Sequence, residues 1–147
     1  MRPVSIIYFE RLYAAALAIG LVSMVFFWEL TMADVRSQPG VGLPPGLVDA
    51  IAYAVIGAGY LIALLLWFFI ARRASSVAKW IWLVLFGLSV LGVVVQMAAG
   101  PEIEASLAVD IVVTLIEAIA AWMLFRPDAR AWFAGRPASA AIGEVFD

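Results

Sequence analysis

Asp110, Thr114 and Glu117 are the residues whose types and spacing could do chemistry in this chain. They stand at i, i+4 and i+7, which puts them on one face if their segment is helical. The residues between them are almost all apolar, and a carboxyl in such a run needs a proton, a cation or a hydrogen-bond partner. No Lys or Arg lies in the interior of the apolar runs, beyond their first turn, to neutralise them. Tyr53 and Tyr60, also seven apart, occupy another apolar run at similar distances from its end. The spacing predicts a two-rung ladder, Tyr53 with Asp110 and Tyr60 with Glu117. Glu29 and Gln96 stand near the ends of their own runs, where they reach water or join Asp110. Two chemistries fit this seam. One is a proton or cation path. The other is structural, with both carboxyls carrying protons and hydrogen-bonding across helices as glue. Thr114 and Ser89, taken singly, read as helix-packing residues.

Such a seam needs a solvent, and the composition names it. Of 147 residues, 66% are hydrophobic and 14% charged, and mean hydropathy is +1.07. Ordinary soluble domains carry about 25% charged residues. The chain would expose large apolar patches in water, so the bilayer is the expected medium. With no Cys and no His, disulfides, Cys/His zinc sites, His-ligated haem and His-dependent catalytic triads are excluded. No phosphate-binding glycine loop is present. No catalytic centre, metal or cofactor is therefore expected. A net charge of −2 argues against nucleic acid as a partner.

Four apolar stretches can each cross a hydrocarbon core of about 30 Å. They cover about 12–33, 47–70, 77–99 and 103–125, followed by a short interfacial helix at 127–134 and a cytoplasmic tail at 136–147. None alternates apolar and polar residues, so helices rather than barrel strands are expected. Pro44-Pro45-Gly46, Gly100-Pro101 and Arg126-Pro127 punctuate the runs. The first run is longer than a signal-peptide core and reads as a retained helix. Short links make sequential helices antiparallel neighbours. The fold expected for residues 1–135 is a single all-α domain, an integral membrane bundle of four transmembrane helices running up-down-up-down.

Eight of the nine basic residues fall on one side: Arg2, Arg11, Arg72, Arg73, Lys79, Arg126, Arg130 and Arg136. Arg36 alone falls on the other, with Asp34, Asp49, Glu102 and Glu104. The positive-inside rule then places both termini in the cytoplasm. Trp67, Trp80, Trp82, Trp122 and Trp132 gather toward that same side, and Trp28 toward the other. Arg72, Arg73, Lys79, Arg126 and Arg130 are candidates for lipid-headgroup contact, although setting topology accounts for them equally well. Ala16-x-x-x-Gly20 and Gly59-x-x-x-Ala63 fit the small-residue spacing of close helix contacts. Asp128 stands in the first turn of the short helix, where a negative charge suits the helix dipole.

The stretches Arg72-Arg73-Ala74-Ser75-Ser76-Val77-Ala78-Lys79-Trp80-Ile81 and Met123-Leu124-Phe125-Arg126-Pro127-Asp128-Ala129-Arg130-Ala131-Trp132-Phe133 carry a resemblance. They resemble the cytoplasmic junctions of a group of small, uncharacterised bacterial four-helix membrane proteins. Arg126 departs from that group, which more often has a small or polar residue before the proline. The resemblance implies a multi-pass protein of the bacterial cytoplasmic (inner) membrane and carries no activity. The leading functional expectation is a structural or accessory protein that contacts the lipid bilayer and other membrane subunits or copies of itself. The rival is a small proton- or cation-coupled transporter or channel that uses Asp110 and Glu117.

Overall fold

The computed structural model describes residues 2–37, 44–99 and 105–135. Among them are five helices: α1 (Val4–Ser37), α2 (Pro45–Arg73), α3 (Ser76–Ala99), α4 (Ala105–Met123) and α5 (Pro127–Phe133). The first four are long and apolar enough to cross a membrane, as in a multi-pass membrane protein. Residues 38–43, residues 100–104 with Glu102 and Glu104, and residues 136–147, the expected tail, lie outside the described residues.

Local chemistry sets where the helices start and stop. Pro45 opens α2 at a first-turn position, where its missing N–H is not needed. At the other end Ala74 turns left-handed, with φ of 49°. The Ser75 N–H then closes back onto the Phe69 carbonyl at 3.1 Å. Ser75 in turn starts α3, its hydroxyl accepting the Ala78 N–H at 3.2 Å. α4 stops at Met123, two residues short of the apolar run's end at Phe125. A residue preceding proline is pushed out of helical geometry, and Arg126 is extended at ψ 152°.

α1 starts eight residues before the apolar run at Leu12, and a partner far away in sequence explains it. The Ser5 N–H, an orphan donor of the first turn, donates to Asp128 Oδ2 at 3.1 Å. A carboxylate on α5 thus caps α1 from 123 residues away in the sequence. Asp128 therefore serves two helix N-termini, its own and that of α1. Partial burial by itself would raise its carboxyl. Hydrogen bonds from Ser5 and from the first backbone N–H groups of α5 outweigh that and hold it below the usual carboxylate range.

The helices close a ring in which α1 touches α2 and α4, and α3 touches α2 and α4, with α1 against α4 the most extensive pairing. Ile6, Phe9, Tyr13 and Ala16 form a buried stripe on α1 at three- and four-residue spacing. This stripe meets Leu66 and Ile70 late in α2, Ala78 and Trp82 early in α3, and Ala120 and Leu124 at the end of α4. The first turns of α1 and α3 therefore share one end of the bundle with the last turns of α2 and α4. Aromatic rings knit that end together. Trp82 lies edge-on to Phe9 and to Tyr13, at 5.4 Å in each case, and stacks on Phe86 at 5.7 Å. In lipid such packing, rather than water exclusion, holds helices together. Each aromatic pair contributes about 0.5–1.5 kcal/mol.

Candidate functional site

Asp110, Thr114 and Glu117 face cavities between the helices. Asp110 and Thr114 line a cavity of about 300 Å³ between α3 and α4, together with Ser89, Gly92, Val93 and Gln96. Glu117 lines a second cavity of about 290 Å³, deeper toward the aromatic end. All four spanning helices wall it: Tyr13 and Leu17 of α1, Gly59 to Leu66 of α2, Trp82 to Ser89 of α3, and Glu117 of α4. Ser89 lines both cavities, so the Asp110 chamber and the Glu117 chamber adjoin at this residue. Neither carboxyl forms a salt bridge with a described residue. The walls of the outer chamber are mixed, whereas those of the inner one are almost entirely apolar and aromatic. The buried cluster of Tyr13, Leu66, Trp82 and Leu124 closes the inner chamber toward the end of the bundle where α5 lies.

The tyrosine ladder does not form. Tyr53 stacks on Trp28 of α1, with ring centroids 4.4 Å apart. The Tyr60 hydroxyl lies against Gly20 of α1, where a Cβ would approach it to 3.2 Å. The reason is the ring order: α2 packs on α1 and α3, and its tyrosines are spent on the α1 seam. Tyr13, on α1, takes the place expected for Tyr60 beside Glu117, and its hydroxyl donates to the Ala63 carbonyl at 3.4 Å. Gln96 does join Asp110, as a wall of the same cavity. Glu29 does not. It is highly exposed and lies 3.9 Å from Arg36, which is held mainly by Asp49 at 2.6 Å.

Sequence reasoning read Ser89 as a helix-packing residue only and passed over Tyr13. Ser89, Gly92 and Gln96 stand at i, i+3 and i+7 on α3, so the polar face opposite α4 was legible as a period. Tyr13 offers no such signal, because no polar residue follows it on its face of α1 in the next two turns. Ala16 is buried and Gly20 packs against Tyr60, so that small-residue pair serves contacts within the chain. Gly59 has nothing within 4 Å of where a Cβ would stand, and it borders the inner chamber.

The basic candidates divide by partner. Arg72 is bound to Glu10 at 3.2 Å, and Glu10 also holds Arg2 at 2.6 Å. Glu10 is only 17% exposed, so this carboxylate ties the start of α1 to the end of α2. The Lys79 ammonium sits over the rings of Trp80, Phe125 and Phe133, at 5.3, 5.2 and 4.9 Å. It seats the far end of α5 on the start of α3. Arg73, Arg126 and Arg130 are exposed and form no salt bridge among the described residues. No cluster of three or more metal-ligating side chains occurs among the described residues. Compared with family models, with curated proteins and with solved structures, the chain finds no match in any of the three.

Proposed function

We propose that this chain is a small proton- or cation-coupled membrane protein in which Asp110 and Glu117 are the exchanging sites. The observation that carries the reading is that both carboxyls face two adjoining cavities and have no basic partner there. Helix glue calls for a carboxyl pressed against a neighbouring carbonyl or hydroxyl. Neither Asp110 nor Glu117 makes a side-chain hydrogen bond to a described residue. An acid that faces open space between helices is placed to take and release a small charged species. Asp110, with Gln96 and Thr114, forms the outer station, and Glu117 the inner one.

The proposal includes orientation. Both termini lie in the cytoplasm, and the four spans run up-down-up-down across the bacterial cytoplasmic membrane. Supporting this, the helix ends that carry Arg2, Arg11, Arg72, Arg73, Lys79, Arg126 and Arg130 belong to one end of the bundle. The outer chamber then opens toward the opposite face, and the aromatic cluster is the cytoplasmic barrier. The test is flux in proteoliposomes. Glu117→Gln keeps volume and hydrogen-bonding capacity while removing titration. A pH-gradient-driven flux that this substitution abolishes supports the reading. Equal flux, or none, in wild type and variant overturns it.

A further inference from the structure

We infer that the inner chamber is a binding site for a lipophilic organic cation, which enters sideways from the bilayer between α2 and α3. The inference rests on Glu117 being an exchanging site and names the class of ion its chamber is built for. A chamber built for a bare metal cation needs several oxygen ligands around the carboxylate. Here the wall offers Tyr13, Ser89 and Glu117 as its polar side chains. The rest is Leu17, Ile62, Ala63, Leu66, Leu85 and the rings of Trp82 and Phe86. Aromatic faces and a carboxylate both attract a diffuse positive charge, and aliphatic walls suit its hydrocarbon substituents. At about 290 Å³ the chamber is the size of a small organic molecule rather than a bare ion.

Its mouth supports the same reading. Ile62 on α2 and Leu85 on α3 line the chamber, yet they are 49% and 44% exposed on the outside of the bundle. Gly59, one turn from Ile62, leaves open space where a side chain would stand. The opening therefore faces hydrocarbon, where a hydrophilic ion would not arrive and an amphipathic cation would. Glu117 offers charge only deep inside, so a neutral molecule of the same shape gains less from the site.

The experiment is equilibrium binding to the full-length protein in phosphatidylcholine nanodiscs, with empty discs as the baseline for partitioning. The probes are benzyltrimethylammonium and its uncharged isostere neopentylbenzene. Saturable binding of the cation is expected, at least tenfold tighter than that of the isostere. Glu117→Gln is expected to remove that preference, and Glu117→Asp to retain part of it. Gly59→Phe, which places a ring at the mouth of the chamber, is expected to weaken binding of both probes while helix content stays unchanged. Equal affinity for the two probes, no binding above empty discs, or an unchanged preference in Glu117→Gln overturns the inference. A Glu117-dependent proton flux in protein that does not bind the organic cation overturns this inference alone and leaves the proposed function standing. Glu117-dependent cation binding without any flux supports the site and sinks the transport reading.

Discussion

The cap that Asp128 places on α1 is testable in a way that separates its charge from its hydrogen bond. Asp128→Ala removes both. A lost N-terminal cap costs about 1 kcal/mol, and a lost anion at a helix N-terminus about 0.3–1 kcal/mol. Asp128 is half-exposed, so solvent screening keeps the electrostatic part in the lower half of that range. The sum is about 1–2 kcal/mol, a factor of roughly 5–30 in the local opening equilibrium. Asp128→Asn keeps an acceptor for the Ser5 N–H and loses only the charge, so its factor is about 2–3. Hydrogen exchange at the first turn of α1 reads these factors directly, once corrected for intrinsic rates. The pH dependence supplies the second check. The folded state holds the Asp128 carboxyl below its ordinary value. Its contribution is therefore complete above the unfolded value of about 3.9 and is lost as pH falls through the lower folded value. Near neutral pH the expected order of protection is wild type, then Asn, then Ala. As the carboxyl protonates, wild type should fall to the level of Asn, and both should stay above Ala. Equal protection of Ser5 in wild type and Asp128→Ala at neutral pH would refute the reasoning.

Three further outcomes are expected. Glu10→Gln frees both Arg2 and Arg72 and should cost about 1 kcal/mol, read as a lower thermal midpoint in detergent. Combining it with Arg72→Gln should cost less than the sum of the two single changes, and strict additivity would show that the pair is not coupled. Trp82→Ala removes three aromatic contacts and should cost roughly 2–4 kcal/mol, whereas Trp82→Phe should cost under half of that. Similar losses in both would mean that the ring contacts at this end add little. Single cysteines at Ser76 and Gly42 should be labelled by an impermeant thiol reagent from the cytoplasmic and the outer side respectively. Labelling of Ser76 from outside would invert the proposed orientation.

Much of the architecture follows from composition and punctuation alone. In a bilayer every backbone N–H and C=O must be satisfied within its own segment, so a long apolar run has one spanning conformation open to it. Pro45, Ser75 and Pro127 then set helix starts through chemistry that is local to a few residues. The spacing of Asp110, Thr114 and Glu117 likewise places them on one face of α4, because helical period is a property of the backbone. What the linear pattern could not decide is which face meets which neighbour. Nearly every residue in these runs is apolar, so no polar contrast marks the inward side. Tyr53 and Tyr60 have the right period to meet α4, but the ring order turns them toward α1. Tyr13 reaches the Glu117 chamber because α1 is the helix packed most closely on α4. Glu10 gathers two arginines, and Asp128 caps Ser5 across 123 residues. A carboxylate carries no mark of its distant partner in the sequence, and only the packing of whole helices brings such pairs within reach.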